Sequence, residues 1–260
     1  MLIAISGSQG SGKTTVLKQL KRFGFPIVER KTSRSILTDW GVTLSQVNND
    51  HELTVKFQNE ILARKHEDEF EAVNSKEIWF TERSYADLFT YALVSLGKDN
   101  EYSDFINSYY VHCFQNQPTY SAVIYLNAGL FTVEHDGVRG SNQYYSKMVD
   151  LTMREFTEQM TPQNLFVIDE AHNAARLLKV YQTIANNFPY QMPFKIAKEF
   201  DQLSKVANEL DDLDRFFDKA DKVFDQVDKV FEQSEKVFDE ASKMLDEVDD
   251  LVKNFNDVGC

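Results

Sequence analysis

Residues Gly7-Ser8-Gln9-Gly10-Ser11-Gly12-Lys13-Thr14 fit the pattern G-x-x-x-x-G-K-[ST] without a mismatch, and they follow the apolar run Leu2-Ile3-Ala4-Ile5. No other string in the chain constrains the fold as much, because this pattern needs a strand before it and a helix after it. The glycines let the backbone curl until successive N–H groups point inward at phosphate oxygens. Lys13 is placed for the β- and γ-phosphates and the Thr14 hydroxyl for Mg²⁺, with Thr15 beside it. A helix from about Lys13 to Phe23 adds its positive N-terminal end. The pattern implies a chain that binds a nucleoside triphosphate such as ATP.

The formal charge of -13 is unevenly spread. Residues 201–260 hold 18 of the 41 acidic and 8 of the 28 basic side chains, which leaves residues 1–200 near neutral. No long basic stripe is present, so a broad grip on duplex DNA is not expected. No apolar run approaches the roughly 20 residues that cross a bilayer, and Met1 leads directly into the first strand without a signal-peptide pattern. The two cysteines, Cys113 and Cys260, offer no disulfide framework or metal-ligand spacing. Their usage fits a reducing, cytoplasmic compartment.

Up to about residue 193, short apolar runs alternate with helical patterns. Strands are expected at Leu2–Ser6, Pro26–Glu29, Ile78–Thr81, Ala122–Leu126 and Leu165–Ile168. Helices are expected over about 14–23, 51–73, 86–96, 102–115, 144–160 and 171–186. This alternation predicts an α/β fold of three layers, α/β/α, around a five-stranded parallel sheet.

Residues 194–260 read differently. No Gly or Pro occurs from Phe194 to Val258, and a seven-residue repeat begins at Lys222, Lys229, Lys236 and Lys243. One heptad column reads Leu203, Leu210, Phe217, Phe224, Phe231, Phe238, Leu245 and Val252; another runs from Val206 to Phe255. A helix over 203–255 would be about 80 Å long, and a lone helix cannot bury such a stripe. The expectation is a long-helix coiled coil that joins copies of the chain into a homo-oligomer. Its acidic polar face argues against a membrane surface.

A phosphate loop alone does not separate kinases from switches, motors and helicases. Three further places bear on this. Glu82 and Arg83, in Thr81-Glu82-Arg83-Ser84, follow the third strand, where carboxyl ends of parallel strands face the ligand crevice. There Glu82 can hold Mg²⁺ through water and Arg83 can reach a phosphate. Glu29, ending the second strand, can take the proton of an attacking hydroxyl, with Arg34 and Tyr85 near the acceptor. Between the fourth strand and the next helix, Glu134–Gly140 has the look of a lid whose Arg139 closes over the phosphates. Asp169-Glu170-Ala171-His172 spells D-E-A-H, but no further helicase motif follows, and Asp169 is expected near the adenine instead.

With these residues in view, residues 1–190 resemble the nucleoside and nucleotide kinase branch of P-loop proteins. Phe80–Ser84 is similar to the E-R-S motif of deoxynucleoside kinases. Gly24–Glu29, Phe57-Gln58, Tyr91-Ala92 and Asp136–Arg139 resemble the nicotinamide riboside kinase-like ATPase group of bacteria and phages. The resemblance implies ATP and Mg²⁺, with Glu29 as base, Glu82 near the metal, and Arg83 and Arg139 at the reacting phosphate. It also implies a host-cytoplasmic location if a phage encodes the chain. Lys31-Thr32-Ser33-Arg34 departs from the group's E-x-x-R arrangement and bears on the acceptor, which extends in some phage relatives to a modified base within DNA. The competing reading is an ATPase switch that recruits a partner through the coiled coil.

Overall fold

The computed structural model describes residues 1–29, 33–128, 143–170 and 173–189. The expected lid with Arg139 and the expected coiled coil over 203–255 lie outside the described residues. Strand β1 is Leu2–Ser6, β2 Trp79–Glu82, β3 Ala122–Leu126 and β4 Leu165–Ile168. All pairings are parallel and the order is β2-β1-β3-β4. β1 and β3 are buried at every residue. Such strands are largely apolar because both faces are covered.

The expected second strand, Pro26–Glu29, does not join as a full strand. It makes one parallel bridge, Ile27 to Phe80, through Val28 N–H to the Phe80 carbonyl (2.8 Å) and Phe80 N–H to the Pro26 carbonyl (3.0 Å). Pro26 has no N–H to donate, and the apolar run stops at Glu29, so the ladder is too short to extend. The sheet among the described residues therefore has four strands.

Helices cover both faces. α1 (Lys13–Arg22) packs against α8 (Asn173–Asn187) on one side. The other side carries α4 (His51–Asn74), α5 (Tyr85–Leu96), α6 (Ser103–Asn116) and α7 (Gln143–Met160). Leu2 and Ala4 of β1 meet Leu62, Leu88, Phe89, Ile106 and Met160 from these four helices. Alternation along β1 sends Ile3 and Ile5 to the opposite face.

Two short helices were not expected, α2 (Ser33–Trp40) and α3 (Leu44–Asn49). They form a small core of Ile36 and Val47 against Phe57 of α4. Thr43 and Gln46 close a reciprocal capping box at the start of α3, and Asp50 caps α4 through the Leu53 N–H. Each satisfies helix-end donors that would otherwise be unpaired.

Gly7 joins β1 to the phosphate loop at φ 137°. A Cβ there would meet the Leu126 carbonyl oxygen at the end of β3, well inside contact distance. Gly7→Ala is expected to lower stability by at least about 1 kcal/mol, since both the dihedral and the backbone contact oppose it. Denaturant unfolding measures this. A loss of only a few tenths would show that the loop shifts freely.

Candidate functional site

The loop from Gly7 to Thr14 turns at three glycines of positive φ, Gly7, Gly10 and Gly12. Gly12 is the N-cap of α1, with no side chain capping the helix and no acidic residue in its first turn. Those amides and the helix dipole are thus left for an anion. Lys13 is only 5% exposed. Its ammonium donates to the Ser8 carbonyl (2.7 Å) and the Ser11 hydroxyl (3.3 Å), which keeps it over the loop. Ser8 and Ser11 are buried, Gln9 and Gly10 half-buried, Thr14 exposed and Thr15 half-buried.

Beside this loop stands the corner between β2 and α5. Glu82 pairs in register with Ile5, and the Arg83 N–H donates to the Ile5 carbonyl (2.9 Å). Parallel pairing thus brings Glu82-Arg83 alongside the strand that feeds the loop. Arg83 has φ 69°, rare for a side chain larger than glycine. Its guanidinium lies 4.7 Å from the centre of the Tyr91 ring. Burial opposes the charge, but Tyr91, Asp87 and Glu82 outweigh it, and the pKa of Arg83 is raised.

Asp87, in the first turn of α5, is fully buried. Its Oδ1 accepts from the Ser6 hydroxyl and the Ser84 hydroxyl (2.9 Å), which ties the last residue of β1 to the corner. Its Oδ2 lies 4.0 Å from Arg83 Nη1. Neither of these two atoms has a hydrogen-bond partner among the described residues. In the E-R-S-x-x-D spacing, Ser84 is the N-cap of α5 and Asp87 lies in its first turn, which brings these two side chains together.

Below the corner, a buried ion pair holds the Arg83 peptide. Lys65 and Glu69 of α4 are 0% and 1% exposed and 2.5 Å apart. Lys65 also donates to the Arg83 carbonyl (2.8 Å), and Glu69 accepts from Thr81 (2.6 Å) and Tyr120 (3.0 Å). The Lys65 ammonium lies 5.6 Å from the ring centres of both Tyr85 and Tyr120.

A second fully buried cation is Arg176 of α8. It donates to the Glu170 carbonyl from Nε (2.8 Å) and Nη2 (2.6 Å), to the Ser11 carbonyl from Nη1, and at 3.5 Å from Nη2 to the Asn127 carbonyl. Burial pushes its pKa down to about 10, against the pull of Glu170 and Asp169. Asp169 accepts from the Asn127 amide, which places it at the end of the sheet where the loop begins.

Other expected residues sit further out. The Glu29 side chain is 86% exposed and pairs with Lys21 at 3.3 Å on the surface. Arg34 is exposed in the first turn of α2. Tyr85 is 1% exposed and packs on Tyr120 with ring centres 5.6 Å apart, so it lies beneath the crevice. Cys113 is buried, and burial pushes its thiol up to about 12, leaving it an inert core residue. No described helix is long and apolar enough to cross a membrane.

The AAA-domain family matches residues 2–173. No curated protein matches the sequence. Among solved structures, the chain is similar to a deoxyadenosine kinase from M. mycoides with bound dATP, at 20% identity and TM-score 0.56, over 72% of this chain and 100% of that one. The M. mycoides deoxyadenosine kinase with bound dCTP matches at 18% and 0.54 over the same shares. A NadR protein in complex with NR matches at 16% and 0.53, over 74% of this chain and 52% of that one. At such identities the likeness is one of fold. The chain belongs to the AAA-domain family, and its fold is that of a P-loop nucleoside kinase.

Proposed function

We propose that this protein is a phosphotransferase that passes the γ-phosphoryl group of ATP to a hydroxyl of a nucleoside, a nucleotide or a modified nucleobase. The observation that carries this reading is the Glu82-Arg83 corner, held in register beside the strand that feeds the phosphate loop. In the reading, the loop amides and Lys13 bind the β- and γ-phosphates, and Arg83 neutralises charge that develops on the transferred group. Arg139 adds a second cation from the lid, and Asp169 lies near the adenine. Glu29 takes the acceptor proton, and Arg34 contacts the acceptor. Tyr85, buried under the corner, acts through packing.

Mg²⁺ fits the donor set. Thr14 offers a hydroxyl at the exposed start of α1, and Glu82 a half-buried carboxylate at the end of β2. Both are hard oxygen donors. No cluster of three His, Cys, Asp or Glu that could hold a metal occurs among the described residues, so nucleotide phosphates and water would complete the shell. Held by Thr14 and Glu82, Mg²⁺ would supply positive charge against the nucleotide phosphates. The heptads of 203–255 are proposed to join several such sites in a homo-oligomer.

A screen of ATP consumption over nucleosides, nucleotides, nicotinamide riboside and modified DNA tests the reading. One acceptor is expected to stimulate turnover, and Glu29→Gln to abolish transfer while retaining ATP binding. Full-rate transfer by Glu29→Gln would remove Glu29 as the base. One observation favours a second reading: Glu29 is exposed and paired with Lys21, not held in the crevice. An ATPase switch needs no acceptor base. It predicts slow hydrolysis that no acceptor stimulates, and a partner lost on truncation after Phe194.

A further inference from the structure

We infer that Arg176 is a positioning residue for the nucleotide, fixing the Ser11–Gly12 peptide so that the Gly12 N–H faces the phosphates. This rests only on the nucleotide-binding part of the function proposed above, not on transfer. Arg176 comes from the last described helix, yet its guanidinium reaches the phosphate loop 165 residues earlier in the chain. All four of its hydrogen bonds given above end on backbone carbonyls. A buried guanidinium loses its hydration, and nothing in simple packing requires one there.

The consequence follows from peptide geometry. The described peptide bonds are all trans, so the carbonyl of one residue and the N–H of the next point in opposite directions. Arg176 holds the Ser11 carbonyl on its own side of the peptide, and the Gly12 N–H is thereby turned the other way. Gly12, at φ 84°, is the residue from which α1 starts. Its amide lies where a helix N-terminus meets an anion.

The same guanidinium binds the Glu170 carbonyl twice and approaches the Asn127 carbonyl. Asn127 in turn accepts from Arg154 (3.4 Å) and donates to Asp169. One planar group thus ties the phosphate loop to the ends of β3 and β4. The fork geometry matters, because an ammonium is a point charge with no fixed plane.

The test uses the full chain with no acceptor present. Binding of ATP, ADP and inorganic tripolyphosphate is measured by calorimetry for wild type, Arg176→Lys and Arg176→Met. The Gly12 amide is followed by NMR on adding each probe. Both variants are expected to bind all three probes about tenfold more weakly, the size of a lost charge-assisted hydrogen bond. The shift of the Gly12 amide on binding is expected to shrink with them. If Arg176→Met does not fold, Arg176→Lys decides alone. An Arg176→Lys protein of lowered Tm but wild-type affinity and Gly12 shift would overturn the inference. So would weakened ATP and ADP binding with tripolyphosphate unchanged, which would assign Arg176 to the base side alone. A wild-type protein that binds ATP but phosphorylates no acceptor would remove the transfer reading and leave this one standing.

Discussion

Lys65→Met is expected to cost about 3–5 kcal/mol of stability, the range for removing one partner of a buried ion pair. The methionine fills the space of the lysine stem, so the loss is not one of volume. It comes from leaving the Glu69 carboxylate, 1% exposed, without its cation. The Arg83 carbonyl loses a donor at the same time. Lys65→Met/Glu69→Gln is expected to recover much of the loss, since a neutral amide can still pair with Thr81 and Tyr120, the present partners of Glu69. Urea unfolding of the two variants measures both numbers. A single-variant loss below about 1 kcal/mol, the scale of exposed pairs, would mean that water reaches the pair.

The second large effect is on rate. Lys13→Met is expected to lower ATP turnover by about 10²–10³, the usual consequence of removing one preorganised donor from a charged transition state. The ammonium is held over the loop by the Ser8 carbonyl and the Ser11 hydroxyl, so it need not be reorganised as charge develops. Methionine keeps the buried stem, and the Tm is expected to move by only a few degrees. Single-turnover kinetics at saturating ATP separates this effect from binding. A turnover within about fivefold of wild type would remove Lys13 from the transition state and leave it a part of the loop's fold.

What could be read in advance was local. Gly7–Thr14 demands a strand, a turn and a helix in consecutive order, and all three occur there. The apolar runs at Leu2, Ala122 and Leu165 are strands because their residue types leave no other buried structure of that length. The short helices α2 and α3 leave little trace in the sequence, because six to eight residues give little periodicity, although Thr43 and Gln46 carry a legible capping box. Lys65 and Glu69 continue the inward stripe of α4 through Thr54, Gln58, Leu62 and Ala72. Their charge hid the pattern, since an i,i+4 ion pair is ordinarily on the surface. Arg176 had no local signal at all: its partners come from the phosphate loop, the end of β3 and the segment after β4, and only the folded chain assembles them.

The strand order sets a timetable. β1 is made first but is paired on both sides by strands made much later, Leu2 with Trp79 and Ile3 with Ala122. At about 5–20 residues per second of synthesis, the nascent β1 waits roughly 6 to 24 s for β3, with its apolar side chains unpaired. Arg176 arrives later still. The phosphate loop, which precedes β2, β3 and Arg176 in the chain, is therefore completed only after all of them have been made.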